Sequence, residues 1–383
     1  MLIKPVGIRR IRIYVFQTAI DPPIRASFGL IKERSLLLVA VDDHDGNTGW
    51  GEVWTGMPAF GATHRAELLE KVMAPQLVGK TIGGPAEQYR LLAESALPIV
   101  RLAAEAGPVS QVLAGLDCAM WDLAARRECK PLYRLLGGQE PNISVYASGI
   151  RPQVTRTELD ELRSRGFGAF KLKAGFDDSS VLPSLARFGG DLLPGESMMI
   201  DANCGWNIDQ AIAAVRYLEG TPIEWVEEPL GPDSPAAQWR QLADVSRHPL
   251  AAGENILATE DFERAFGWLG VVQPDLGKWG GISNVVPLGR RAVGFGLRFC
   301  PHSFGTNVSA AHAAHALAAV GGDGRLELDV TPNPLRAACS SSLMELTQGS
   351  GVLSSKPGIG IEVNLDALAP FLQREITVDG LQS

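Results

Sequence analysis

The sequence predicts an α/β protein: a parallel β/α barrel of the TIM type, preceded by an α+β domain. Two patterns carry this expectation. Beyond residue 140, eight short apolar runs alternate with longer stretches of helical periodicity, and repeated strand–helix units imply parallel strands joined by crossovers. Ionisable residues recur near the carboxyl ends of those runs at intervals of 21 to 30 residues, about one strand–helix unit. A doubly wound open sheet is the structural alternative. A lone GxG near 358–360 falls late in the chain and is poor support for a dinucleotide site.

The elements follow in order. Residues 8–18 (IRRIRIYVFQT) read as a first strand. Residues 35–53 read as a hairpin, with Asp45-Gly46 as the turn between alternating apolar runs. Residues 64–78 and 85–106 read as helices. A further amphipathic helix over 108–127 places Val112, Leu116, Ala119 and Leu123 on one face. Residues 1–130 therefore make an α+β unit. The eight barrel strands are expected at 143–149, 169–175, 197–203, 223–229, 249–255, 270–275, 297–303 and 325–329, within a unit spanning 131–339.

Composition narrows the function. The chain has 383 residues, 45% of them hydrophobic and 20% charged, as in ordinary globular proteins. Its net charge is −8 and it has no dense basic run, which argues against nucleic acid as a partner. Five cysteines with no CxxC pair argue against a thiolate zinc site or a disulfide framework. They fit a reducing compartment, so a cytoplasmic location is expected. No secretory leader is evident at the start, and no run of about 18 apolar residues suggests a membrane span. An HxH pair, which a zinc hydrolase on a barrel would need, is absent from the strands.

Strands buried on both faces should be nearly all apolar. Here the strand ends carry Lys171 and Lys173, Asp201, Glu227, Glu254, Asp275, His302 and Glu327. In a barrel of this kind, that end is where catalysis sits. Asp201, Glu227 and Glu254 are three hard oxygen donors from neighbouring strands, a set suited to Mg2+. In IEWVEEP, Glu227 and Glu228 should point opposite ways, leaving one to face the metal. Lys171 and Lys173 are two apart and share a face. Each should lower the other's pKa, from about 10.4 toward roughly 7–8, where an amine is a useful base. Asp275 can fix the tautomer of His302 and raise its basicity. Glu327 could donate a proton to an oxyanion if its pKa is raised.

Other residues read less sharply. His312 and His315, at i and i+3 on a helix, read as packing residues. Lys278, three residues after Asp275, reads as a loop residue. Trp54, Phe28 and Phe60 flank Gly/Pro-rich loops. Asn203, Arg25, Trp54 and Phe60 are the candidate substrate contacts.

Taken together, the motifs KLKAG (171–175), DANCGW (201–206), EEP (227–229), GEN (253–255), QPDLGKWGG (273–281), PHSFGTN (301–307) and LELDVTPNPLR (326–336) resemble the enolase superfamily, in its mandelate racemase subgroup. GWGEVW (49–54) and PGIGIEV (357–363) match as well, so the resemblance spans nearly the whole chain. The stretch from PHSFG to NPLR looks like acid-sugar dehydratases and an acid-sugar lactone cycloisomerase. The resemblance implies a modified (β/α)7β TIM barrel, with residues 340–383 folding back on the N-terminal capping domain. Loops around 18–30 and 54–63 would close over the barrel.

The resemblance also implies roles. Asp201, Glu227 and Glu254 would bind Mg2+. Lys173 would be one base, tuned by Lys171, which also contacts the substrate carboxylate. His302, paired with Asp275, would act on the other face, with Glu327 as the electrophile. The implied reaction is proton abstraction α to a carboxylate, through an enediolate. Dehydration of an acid sugar to a 2-keto-3-deoxy acid is the leading expectation. A racemase, epimerase or lactone cycloisomerase is the alternative, and a non-catalytic sugar-acid binding protein is the non-enzyme one. The expected partner is a small carboxylate, with no nucleic acid and no membrane. A homo-oligomer is expected on general grounds alone.

Overall fold

Alternating apolar residues at the amino end form paired strands in the computed structural model, which describes residues 4–26, 29–58, 60–176 and 178–380. Strands β1 (Val6–Ala26), β2 (Gly29–Asp43) and β3 (Thr48–Val53) form an antiparallel meander, with β4 (Thr81–Ile82) beside the start of β1. Asp43 organises the predicted turn by accepting from the backbone N–H groups of Asp45 and Asn47, at 2.9 and 2.8 Å. The segment 18–30 differs from the loop expected there. Thr18 and Ala19 pair with Arg34 and Glu33, and after a break in the ladder Ile24 lies opposite Ile31, Arg25 opposite Leu30 and Ala26 opposite Gly29. Pairing satisfies their backbone groups, and Ile24 and Ile31 favour extended chain. Phe28 and the Arg25 side chain lie outside the described residues.

Helices α1 (Gly61–Leu68), α2 (Pro85–Leu102) and α3 (Ala106–Arg127) follow. Ile11 and Ile13 of β1, Leu37 and Val39 of β2, and Val112, Leu116, Ala119 and Leu123 of α3 share one buried cluster. Tyr14, Phe16, Leu36 and Leu38, on the opposite face, join the core that continues into the second sheet. Period-two alternation thus buries both faces of the meander. Contact between β3 and α3 depends on glycine. A Cβ on Gly51 would meet the Gly115 carbonyl oxygen at 2.0 Å, and one on Gly49 would meet the Ala119 oxygen at 2.2 Å. Both obstacles are backbone and cannot rotate away. Gly51→Ala is expected to destabilise the protein by about 2 kcal/mol or more through overpacking. Denaturant unfolding checks this; an unchanged midpoint would contradict the packing described.

The second sheet holds eight parallel strands: β5 (Asn142–Ile150), β6 (Ala169–Lys173), β7 (Ser197–Asp201), β8 (Ile223–Glu227), β9 (Leu250–Ala252), β10 (Val271–Val272), β11 (Arg298–Phe299) and β12 (Arg325–Asp329). They lie in the order β12-β5-β6-β7-β8-β9-β10-β11. The last strand in sequence therefore pairs with the first. No ladder joins β11 to β12 among the described residues. The two still touch: the Arg325 N–H lies 3.3 Å from Cys300 Sγ, and Gly324 sits against the Phe299 carbonyl. Strands β9 to β11 are shorter than the apolar runs suggested. Pro249, Pro274 and Pro301 lie beside them and supply no ladder N–H.

Helices alternate with these strands as the periodicity required. Two of them, Arg156–Ser164 and Ile208–Tyr217, begin with capping boxes built on Thr155/Glu158 and Asn207/Gln210. Later in the chain, β13 (Leu346–Thr347) and β14 (Ser350–Val352) form a hairpin against β5. The final strand, β15 (Leu372–Asp379), crosses back to pair antiparallel with β1, Ile376 opposite Ile13. Among the described residues, no helix is long and apolar enough to cross a membrane.

Candidate active site

Alternation within the parallel strands builds the site. Tyr146, Ala169, Met199, Trp225, Ala251, Val271 and Cys300 form one enclosed cluster from successive strands. Two residues further along each chain, the same face presents Ser148, Lys171, Asp201, Glu227, Gly253, Gln273 and His302. A layer of apolar side chains thus carries a layer of polar ones at the carboxyl ends. Register sets neighbours: Lys173 lies opposite Asp201, and Asp201 opposite Glu227. Asp275 and His302 form an isolated parallel bridge.

Contacts within this layer are close. Lys173 Nζ donates to Asp201 Oδ2 at 2.6 Å. Lys171 is buried between Glu227, which it contacts directly, and Glu327, at 2.9 Å. Gln273 Nε2 and Trp225 Nε1 donate to Glu227 Oε2 at 2.6 and 3.1 Å. His302 Nδ1 is 2.6 Å from Asp275 Oδ2, and its Nε2 is 3.2 Å from Glu254. Asp275 Oδ1 is fixed in turn by the N–H groups of Gly277 and Lys278.

A cavity of about 290 Å3 opens above, between the meander and the carboxyl ends of the strands. Lys173, Glu254, Asp275 and His302 face it from below, and Trp54 and Arg34 from the meander. Asn203 also lines it, with φ of +45° and its N–H on Asp201 Oδ1. Phe60 does not reach it. That ring stands 79% exposed just before α1.

Several expectations need correction. Glu228 also lines the cavity, bonded to Asn255 Nδ2. Strand alternation ends at Glu227, and a φ of +40° at Glu228 turns its side chain back toward the site. Lys278 is no bystander: it is buried, with Nζ 2.6 Å from Glu254 and 4.7 Å from the Trp54 ring. The mutual lowering expected of the two lysines does not prevail. Burial pulls the Lys173 ammonium down, but Asp201 more than offsets it and the pKa stands raised. Lys171 is likewise held well up by Glu227 and Glu327 against the effect of burial. Burial favours a neutral Glu327, yet Lys171 and His302 overcome it and hold the group at about 2. Glu327 is thus held below the usual carboxylate range rather than raised above it. Burial lowers His302, while Glu254, Glu327 and Asp275 raise it to about 9.

His312 and His315 are packing residues. His312 bonds the Val308 and Cys118 carbonyls, and His315 accepts the Tyr133 N–H. Sequence reasoning passed over Gln273 and Glu52. The spacing Val271-Gln273-Asp275 would have placed Gln273 on the inward face. Glu52 accepts from Thr306 and from the Ser309 N–H, tying β3 to the loop after His302; nothing in its local pattern announced that.

Among the described residues, no three acidic, His or Cys side chains converge closely enough to hold a metal. Each candidate ligand is drawn aside by an ammonium: Asp201 by Lys173, Glu227 by Lys171 and Glu254 by Lys278. The donor set nevertheless fits Mg2+. Glu228 has no ion-pair partner among the described residues, and burial, with Glu254 and Asp201 beside it, pushes its pKa well up. Four buried carboxylates at adjacent strand ends leave negative charge that a hard cation would relieve.

Ionisable groups at the carboxyl ends of successive parallel strands, covered by a separate sheet, are the arrangement of a β/α enzyme. The chain belongs to the mandelate racemase and muconate lactonizing enzyme family of the enolase superfamily. Residues 10–137 match the family described as mandelate racemase / muconate lactonizing enzyme, N-terminal domain, and residues 154–367 match enolase C-terminal domain-like. It is 29% identical over 382 residues to a D-galactarolactone cycloisomerase of Agrobacterium fabrum, covering 95% of this chain and 98% of that one. A crystal structure of a mandelate racemase/muconate lactonizing enzyme from Bordetella bronchiseptica is 40% identical, with a TM-score of 0.89, over 96% of this chain and 99% of that one. A racemase from Streptomyces coelicolor, solved with bound magnesium, is 27% identical with a TM-score of 0.84, over 96% and 100%. Curated relatives also include acid-sugar dehydratases.

Proposed function

We propose that this enzyme removes the proton α to the carboxylate of an acid sugar, with Mg2+, and then expels the β-hydroxyl to give a 2-keto-3-deoxy acid. One observation carries the reading. Lys173 on β6 and His302 after β11 face a single cavity, with the carboxylate-bearing strand ends of β7 to β9 between them. Lys173 Nζ, as the free amine, takes the α-proton, and the C–H electron pair moves into the carboxylate to form an enediolate. The enediolate collapses as the β C–O bond breaks, and His302 Nε2 protonates the departing oxygen. Asp275 on Nδ1 keeps Nε2 pointed at the cavity. Water leaves, and the enol product tautomerises to the keto acid.

Asp201, Glu227 and Glu254 would hold Mg2+, which would supply positive charge to the enediolate oxygens and compete with Lys173 for Asp201. Lys171 sits beneath, adding positive charge from a fixed position.

Lactone cycloisomerisation is the second reading. It needs the same base and acid, with a ring oxygen as the leaving group. The likeness to a galactarolactone cycloisomerase along nearly the whole chain favours it. A panel of mono- and diacid sugars and their lactones, assayed for 2-keto acid with Mg2+, tests the proposal. Loss of one water from an acid sugar is expected. Ring opening with unchanged mass would move the reaction to the second reading.

A further inference from the structure

This inference rests on the acid-sugar reading above and concerns which acid sugars fit. Arg34, on β2, lines the cavity with its side chain 10% exposed. Nη2 donates to Thr331 Oγ1 at 2.9 Å, its only side-chain hydrogen bond among the described residues. Nε is buried without a partner. Asp329 is 3.9 Å from Nη2 and is already occupied. Its Oδ2 accepts from Arg336 at 2.6 Å, and its Oδ1 from the N–H and hydroxyl of Thr331 at 2.8 and 2.6 Å.

A guanidinium cannot relieve its burial by losing a proton. An enclosed cation with free N–H groups needs an anion, and the described residues supply none at hydrogen-bond distance. The location says where that anion would come from. Arg34 Cζ lies 5.0 Å from the centroid of the Phe304 ring, and Lys173 Nζ lies 5.9 Å from the same ring. His302 stacks on Phe304 at 6.5 Å. A substrate whose α-carbon sits by Lys173 and His302 therefore has its far end within reach of Arg34. The planar fork of the guanidinium matches a carboxylate.

We propose that Arg34 binds a second carboxylate at the far end of the substrate, making this enzyme selective for sugar diacids or their lactones over monoacids. The test compares loss of the α-proton in D2O, read as product formed plus deuterium taken up by substrate, for six-carbon sugar diacids and the matching monoacids. Wild type, Arg34→Met and Arg34→Lys are assayed, each with Mg2+. In wild type, kcat/KM is expected to favour diacids by about a hundredfold. Arg34→Met should bring that ratio close to one, and Arg34→Lys should keep part of it. The ratio is independent of how much of each variant folds. A purely structural Arg34, strapping β2 to the residues after β12, would lower both rates and leave the ratio intact, which overturns the proposal. So would a wild-type preference for monoacids. Loss of the α-proton from both classes at equal rates overturns the assignment of Arg34 alone, whereas loss from neither overturns the acid-sugar reading and the proposal with it.

Discussion

Lys173→Ala is expected to slow α-proton removal by roughly a hundredfold to ten-thousandfold, the usual contribution of a positioned base. Of the two β6 lysines, only Lys173 lines the cavity; Lys171 is buried beneath it between Glu227 and Glu327. Lys173→Arg separates charge from proton transfer. It keeps the cation beside Asp201 but cannot serve as a base near neutral pH, so it should be almost as inactive as the alanine variant. Neither change should abolish Mg2+ binding, because the lysine competes with the metal for Asp201. Single-turnover rates and Mg2+-dependent melting measure the two effects separately. Full turnover in Lys173→Arg would remove this residue from the base's role.

Removal of the metal has the second large effect. Chelation should abolish turnover, and added Mg2+ should restore it. Binding should also show without substrate. At a Mg2+ concentration 100 times its Kd, the folded state gains about 2.7 kcal/mol, visible as a rise in Tm. Asp201→Asn should need on the order of a hundredfold more Mg2+ for the same rise. The mutation takes a charge from the centre of the set, since Asp201 lies between Lys173 on β6 and Glu227 on β8. A melting temperature indifferent to Mg2+ in the wild type would count against metal binding by these carboxylates.

Much of this architecture was readable because period-two alternation and the strand–helix repeat act over the whole chain. The Lys171/Lys173 pair, Asp201 and Glu227 all sit where alternation from an apolar layer places them. What escaped the sequence depends on single dihedral angles and on contacts distant in the chain. Glu228 turns inward through one positive φ. Lys278 follows a turn after a two-residue strand, and only the fold shows its ammonium reaching Glu254. Arg34 gave no local signal, since its position over the cavity is set by how the meander roofs the barrel. Ionisation was the hardest to foresee. Paired lysines argue for lowered pKa values only if no carboxylates stand closer, and here Asp201, Glu227 and Glu327 do. The pairing of Thr18, Ala19 and Ile24 to Ala26 escaped notice because its ladder is broken between Ala19 and Ile24 and no long alternating apolar run marks it.

Abstraction of a proton α to a carboxylate by Lys173, in a Mg2+-dependent site, is the step on which the proposed reaction turns. Proton NMR of an accepted acid sugar in D2O tests it most directly, with wild type, chelated wild type and Lys173→Ala side by side. The substrate's α-proton is expected to be lost to solvent with wild type and Mg2+, and retained in the other two samples. Turnover of the same acid sugar with its α-proton kept in place, or exchange undiminished in Lys173→Ala, would contradict it.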